Sequence, residues 1–184
     1  MENEKIEEKL LVYTDGACLH NGSKNSIGGW GFIIRFDRNR KEVHSANFKL
    51  EATNQRMELI AVINALNEIK HRWPIRENFN ITIYSDSEYV VKGASDWMIR
   101  WESYGWKRTK GGGLHNKGKP TNPKNHVVVN LDLWKQMFDL VKELQPKFKW
   151  VRGHSGNEYN EKCDDLANAA IDSQSEYYKA LRIA

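Results

Sequence analysis

Apolar and polar positions alternate through the first fifty residues and then change period. Leu10 to Cys18 reads as a strand with Leu11, Tyr13 and Asp15 on one face. His20 to Ile27 (HNGSKNSI) is a turn, Gly28 to Phe36 (GGWGFIIRF) a second strand, and Glu42 to Leu50 a third, which predicts an antiparallel meander. Leu59, Val62, Ile63, Leu66 and Ile69 then follow helical spacing from a start near Thr53 or Asn54, both good caps, and Pro74 closes that region. Ile81 to Ser85 is a short apolar strand with Asp86 at its end. Ser87 to Gly93 and Asp96 to Ser103 predict short helices. Leu131, Trp134, Phe138 and Val141 mark another helix, capped by Asn130. Phe148 to Arg152 is a last strand, and the Gly153 to Gly156 turn leads into a helix marked by Cys163, Leu166, Ala167 and Ala170. This order describes a mixed α/β sheet, antiparallel on one side and parallel on the other.

A chain of 184 residues is most simply one domain with a real core. Residues 1–9 read as a polar leader, 10–172 as the domain and 173–184 as a polar tail. The leader is acidic and lacks the apolar run of a secretory signal, and no stretch approaches a membrane span. Two cysteines without a CxxC pattern argue against a disulfide framework and a zinc ribbon, and predict reduced thiols in the cytoplasm. The net charge of +4 is mild, but its distribution is uneven. Between Tyr104 and His126 stand Lys107, Arg108, Lys110, Lys117, Lys119 and Lys124, with no acidic residue, beside Trp106 and Gly111 to Gly113. Such a segment is commonly a solvated loop; it also suits a grip on nucleic acid.

Four acidic residues in short, distinctive contexts change the picture: Asp15 in YTDGAC, Glu58 in TNQRMEL, Asp86 in IYSDSEY and Asp164 in GHSGNEYNEKCDDLA. Four converging carboxylates repel one another unless divalent cations fill the cluster. Hard oxygen ligands with room for water suit Mg²⁺, and two such ions can clamp an in-line phosphoryl displacement. Asp86 lies beyond the carboxyl end of a parallel strand, where ligands gather in open α/β sheets. Glu58 sits in the first turns of a helix, where the dipole favours its ionised form. Helical phase separates Asp164 from Asp165: the first falls on the flank of the Cys163–Ala170 stripe, the second on the solvent face.

YTDGAC, TNQRMEL, SDSEY and GHSG with NEKCDDLA, in this order and together with WMIRWESYGWK, closely resemble type 1 ribonuclease H over about Leu10 to Ile171. The resemblance implies a ribonuclease H-like fold, a five-stranded mixed sheet flanked by helices. It implies an endonuclease that hydrolyses the RNA strand of RNA–DNA hybrids with two Mg²⁺ ions (Mn²⁺ as substitute), leaving 5′-phosphate and 3′-hydroxyl ends. Asp15, Glu58, Asp86 and Asp164 match the family's metal-ligand carboxylates, and His154 its mobile histidine. Cys18, Asn21, Asn54 and Gln55 match contacts to the hybrid's minor groove, and Thr53 and Asn130 a DNA-phosphate pocket. Trp97, Trp101, Trp106 and Lys107 match a basic handle, about residues 97–128, that carries the DNA strand. Trp101 is expected mostly in the core and Trp106 against substrate. The chain departs from the pattern at Glu51, where relatives often carry a basic residue, and in the long loop from Gly111 to Val128. No separate N-terminal hybrid-binding module, obligate protein partner, membrane or oligomer is expected.

Rival readings are weaker. Exonucleases of the same broad fold carry an Asp-x-Glu first motif, whereas Asp15 is followed by Gly16 and Ala17. Integrases bring extra DNA-binding domains for which this chain has no room. A reverse transcriptase fragment is disfavoured by the acidic leader and polar tail; a catalytically silent hybrid-binding module is the main alternative, and the presence of all four carboxylates argues against it.

Overall fold

The computed structural model describes residues 8–37, 42–73, 79–108 and 127–181, with side chains up to 176. Pro74, Lys110, Gly111 to Gly113, Lys117, Lys119 and Lys124 lie outside the described residues, as does most of the leader.

Five strands form one sheet: β1 (Glu8–Leu19), β2 (Ile27–Phe36), β3 (Glu42–Leu50), β4 (Phe79–Ser85) and β5 (Lys147–Trp150), in the order β3-β2-β1-β4-β5. β1 is central, antiparallel to β2 (Val12 opposite Ile34) and parallel to β4 (Val12 opposite Ile83). The alternation along β1 fills two separate layers. Leu10 and Val12 face the main core, while Leu11 and Tyr13 join Ile33 and Cys163 on the other side.

Helix α1 (Asn54–Arg72) covers the first face and buries all five residues of its predicted stripe. Thr53 caps it, its side chain accepting the Arg56 N–H at 3.3 Å. α4 (Leu131–Leu144) packs beside α1 and buries Leu133, Trp134, Met137 and Leu140. Phe138 and Val141 lie on the flank of this stripe, half-buried against the core, so the predicted phase is off by about one residue. Asn130 occupies the cap position without capping: its backbone is left-handed (φ 57°), and its side chain makes no cap bond. α5 (Glu158–Leu181) covers the second face through Cys163, Ala167 and Ile171. It runs on through the segment expected to be a polar tail, and β1 begins at Glu8, inside the expected leader.

The two short helices expected between Ser87 and Ser103 form one continuous rod. α2 (Glu88–Lys92) passes through a π-helical turn, Gly93–Trp97, into α3 (Met98–Ser103). Gly93 allows the approach of α4, since a Cβ there would stand 2.0 Å from the Trp134 ring. The wide turn then brings Trp97 and Trp101 together with ring centroids 5.9 Å apart.

Candidate active site

Four different elements deliver the four carboxylates. Asp15 lies in the second half of β1, Asp86 follows β4 directly, Glu58 sits in the second turn of α1, and Asp164 in the second turn of α5. Gly16 permits the first meeting: a Cβ on it would stand 2.3 Å from the Glu58 backbone nitrogen, so only glycine lets α1 close onto β1 here. The chosen member of the Asp164–Asp165 pair is the half-buried one, and Asp165 is exposed.

Each carboxylate is held by neutral donors. The Gly16 N–H donates to Asp15 Oδ1 at 2.6 Å. Ser87 Oγ donates to Glu58 Oε2 at 2.6 Å, and Asn54 Nδ2 to Oε1 at 3.1 Å. Asn160 Nδ2 donates to Asp86 Oδ2 at 3.2 Å, and the Trp150 indole N–H to the Asp86 carbonyl at 2.9 Å. Asn168 Nδ2 donates to Asp164 Oδ1 at 2.8 Å.

Burial pushes Asp15 up to about 8; Asp86, Asp164 and Glu58 add repulsion, while the Gly16 N–H works against the rise. Glu58 is pushed up to about 6 by burial and by Asp86, against the bonds from Ser87 and Asn54. The fold thus brings Asp86, Asp164 and Glu58 close enough for their charges to act on Asp15. Among the described residues, no three His, Cys, Asp or Glu side chains close tightly enough to hold an ion unaided. The four carboxylates, all hard oxygens and mutually repelling, fit Mg²⁺, which keeps several water or substrate ligands.

His154 stands in the turn before α5 with a left-handed backbone (φ 48°) and its side chain 81% exposed. Its Nδ1 is 3.9 Å from Asp164 Oδ2, so it reaches the rim of the cluster from solvent.

The expected substrate contacts fall in two groups. Cys18 Sγ lies 3.5 Å from the Ala52 carbonyl, and Asn21 Oδ1 accepts the Asn54 N–H at 3.1 Å. This ties the end of β1 to the start of α1, and Asn54 in turn touches Glu58. Thr53 and Asn130 are joined through Arg56. The Arg56 N–H is capped by Thr53, and its guanidinium donates to Asn130 Oδ1 at 3.3 Å and to both oxygens of Asp132. Asn130 Nδ2 also donates to the Tyr89 hydroxyl at 3.3 Å. Its left-handed backbone aims the side chain at these partners rather than at the α4 terminus.

Beside the carboxylates, and lined by none of them, runs an open groove of about 600 Å³. Gln55, Tyr89, Trp97, Arg100, Trp101 and Arg108 line it. Trp106 does not: it packs edge-on against Phe138 of α4, with ring centroids 5.5 Å apart. Both rings are half-buried against the core: Trp101 packs on Trp134 with centroids 5.5 Å apart and also lines the groove, while the turn after α3 folds Trp106 back with φ 62°. Lys107 is exposed and pairs with Val127 in an isolated bridge. Glu51 is exposed, and its backbone N–H donates to the Ser26 carbonyl at 2.9 Å.

The sequence reading missed Ser87, Asn160 and Arg100, and named Arg108 only as part of the basic segment. Ser87 carries a legible signal as a cap directly after Asp86. Asn160 stands three residues before Cys163, a polar residue on an apolar stripe.

Residues 7–172 match the family profile for RNase H. The chain is 38% identical over 171 residues to the ribonuclease H of Francisella tularensis subsp. novicida (strain U112), covering 93% of this chain and 96% of that one. It is 37% identical over 166 residues to the ribonuclease H of Clostridium botulinum (strain Hall), covering 90% and 97%. Among solved structures, LC9-RNase H1, a type 1 enzyme with the type 2 active-site motif, is 31% identical with a TM-score of 0.72, over 90% of this chain and 73% of that one. LC11-RNase H1, solved in complex with an RNA/DNA hybrid, is 20% identical with a TM-score of 0.61, over 90% and 98%, and shares the fold. The motifs, the strand order and these matches agree, and the chain belongs to the type 1 ribonuclease H family of endoribonucleases.

Proposed function

We propose that this chain hydrolyses the RNA strand of RNA–DNA hybrids with two Mg²⁺ ions, leaving 5′-phosphate and 3′-hydroxyl ends. The carrying observation is the gathering of Asp15, Glu58, Asp86 and Asp164 from four elements, with repulsion contributing to the rise of Asp15 to about 8. When bound, divalent ions supply water activation and stabilise the departing oxygen. The four carboxylates hold the ions and present a near-neutral surface to an anionic phosphodiester. His154, exposed beside Asp164, carries a proton to or from solvent or helps product leave.

Selectivity rests on the two sides of the site. Short polar groups at Cys18, Asn21, Asn54 and Gln55 read the minor groove, where the 2′-hydroxyl distinguishes RNA from DNA. Thr53 and Asn130 hold a phosphate of the DNA strand, with Arg56 supplying a cation near them despite Glu51. The Trp-lined groove with Arg100 and Arg108 carries that strand onward, with Lys107 beyond it. A hybrid is the ligand with which LC11-RNase H1, of the same fold, was solved. One chain supplies every residue named, so a monomer suffices, and the two free thiols suit a reducing cytoplasm.

The test is cleavage of a labelled RNA–DNA hybrid in Mg²⁺, beside RNA–RNA, DNA–DNA and single-stranded RNA, with Asp86→Asn as control. Cleavage confined to the hybrid's RNA strand, lost in EDTA and in the variant, is expected. Tight hybrid binding with no cleavage in any divalent metal would establish a silent binding module instead.

A further inference from the structure

Asn160 is a buried polar residue on the core side of α5, only 2% exposed. Its place is fixed locally. The Asn157 side chain accepts the Asn160 N–H at 3.2 Å, and Glu161 Oε1 accepts the Gly156 N–H at 2.8 Å, so the first turn of α5 is tied down on both sides. Residues 160, 163 and 164 share one helix face. The same face that seats Cys163 in the core therefore presents Asn160 and Asp164 one turn apart along the cluster.

The Asn160 amide donates to Asp86 Oδ2 at 3.2 Å, while its own Oδ1 is buried with no hydrogen-bond partner among the described residues. A buried amide oxygen without a partner is unfavourable, and an apolar side chain would avoid that loss. The contact is also built from the other side. Gly153 leaves room for this carboxylate, since a Cβ there would stand 2.5 Å from Asp86 Oδ2. The Trp150 indole anchors the Asp86 backbone.

We propose that Asn160 is a positioning residue: its amide holds one oxygen of Asp86, Oδ2, and leaves Oδ1 turned to a divalent ion. A neutral donor sets the carboxylate's rotation without neutralising it, whereas Lys or Arg would compete with the ion for the charge. This rests on the reading of Asp86 as a metal ligand.

The test uses the full chain and two variants. Asn160→Ala removes the donor; Asn160→Leu keeps much of the volume, loses the donor and adds no charge, and serves alone if the first does not fold. Mg²⁺ itself is the probe, titrated by calorimetry, beside the Mg²⁺ dependence of cleavage, the KM for hybrid and thermal unfolding in EDTA. Loss of a partner that orients a metal ligand is expected to lower Mg²⁺ affinity by about 10–100-fold, with KM for hybrid within about twofold of the parent. A lower melting temperature with unchanged Mg²⁺ affinity in both variants would make Asn160 merely structural and overturn the proposal. A parent chain that binds no Mg²⁺ and cleaves no hybrid would overturn the functional reading, and this inference with it.

Discussion

Asp15 bears the largest electrostatic penalty in the metal-free protein, so its neutralisation gives the sharpest quantitative expectation. Its ordinary value of 3.8 is pushed up to about 8, first by burial and then by Asp86. Between those two values the native state binds more protons than the unfolded chain. Native stability therefore falls as pH rises through that window, and the penalty is complete above about 8. At about 1.4 kcal/mol per unit, roughly 4 kcal/mol is in place by about pH 7. Asp15→Asn keeps the shape and the acceptor for the Gly16 N–H while removing the charge. It is expected to stabilise the metal-free fold by ~2–4 kcal/mol near pH 7 and by less than about 1 kcal/mol near pH 4, where the parent's Asp15 is largely protonated when folded and about half protonated when unfolded. Urea unfolding in EDTA, followed by tryptophan fluorescence across that range, measures the difference. Saturating Mg²⁺ should shrink or reverse it, because an ion that binds only the native parent stabilises that parent by mass action. Equal stabilities near neutrality, or a gap that widens toward acid, would refute the reasoning.

Other expectations follow from single contacts. Ser87→Ala removes both the donor to Glu58 and the cap that accepts the Val90 N–H. It should cost about 1 kcal/mol of stability and raise the Glu58 pKa in the metal-free protein above about 6, read by NMR titration of its side-chain carboxyl carbon in EDTA; an unmoved midpoint would remove Ser87 as its partner. Arg100→Ala with Arg108→Ala should raise KM for hybrid far more than it lowers kcat, and flatten the log–log salt dependence of binding by about 1–2; an unchanged slope would remove both residues from phosphate contact. Gly93→Ala forces a Cβ into the Trp134 ring and should cost about 1–3 kcal/mol by denaturant unfolding while raising KM through the displaced groove.

The α1 helix was legible because period and burial coincide in it, every apolar position of the predicted stripe being buried, and β1 because its two faces fill two separate cores. The same logic separated Asp164 from Asp165. It failed where a local rule met a tertiary contact. Asn130 has the residue type of a cap, yet Arg56 and Tyr89 claim its side chain, and it takes up a left-handed backbone instead. The break expected between two short helices became a π turn, because Gly93 lets Trp134 press into the rod. Helical spacing alone does not show that Trp101 would both pack on Trp134 and line a groove, because one ring edge serves each side. Arg100 was read only as part of a helix, though that helix presents it to the groove.

The donors around the four carboxylates share one property: all are neutral. Backbone N–H, serine hydroxyl and asparagine amide hold Asp15, Glu58, Asp86 and Asp164, and among the described residues no Lys or Arg pairs with any of them. Among the described residues the lone ionisable side chain of basic type within salt-bridge distance is His154, 81% exposed and 3.9 Å from Asp164. Elsewhere the protein uses cations freely, as in the two-pronged Arg56–Asp132 pair a short distance along α1. Neutral donors fix the rotation of a carboxylate while leaving its charge for a divalent ion, whereas an ammonium or guanidinium would satisfy both and compete for the site. The electrostatic penalty at Asp15 is the consequence of that choice. It is tolerable because the rest of the fold, from the Gly16 approach to the cap of α5, holds the four side chains where repulsion alone would drive them apart.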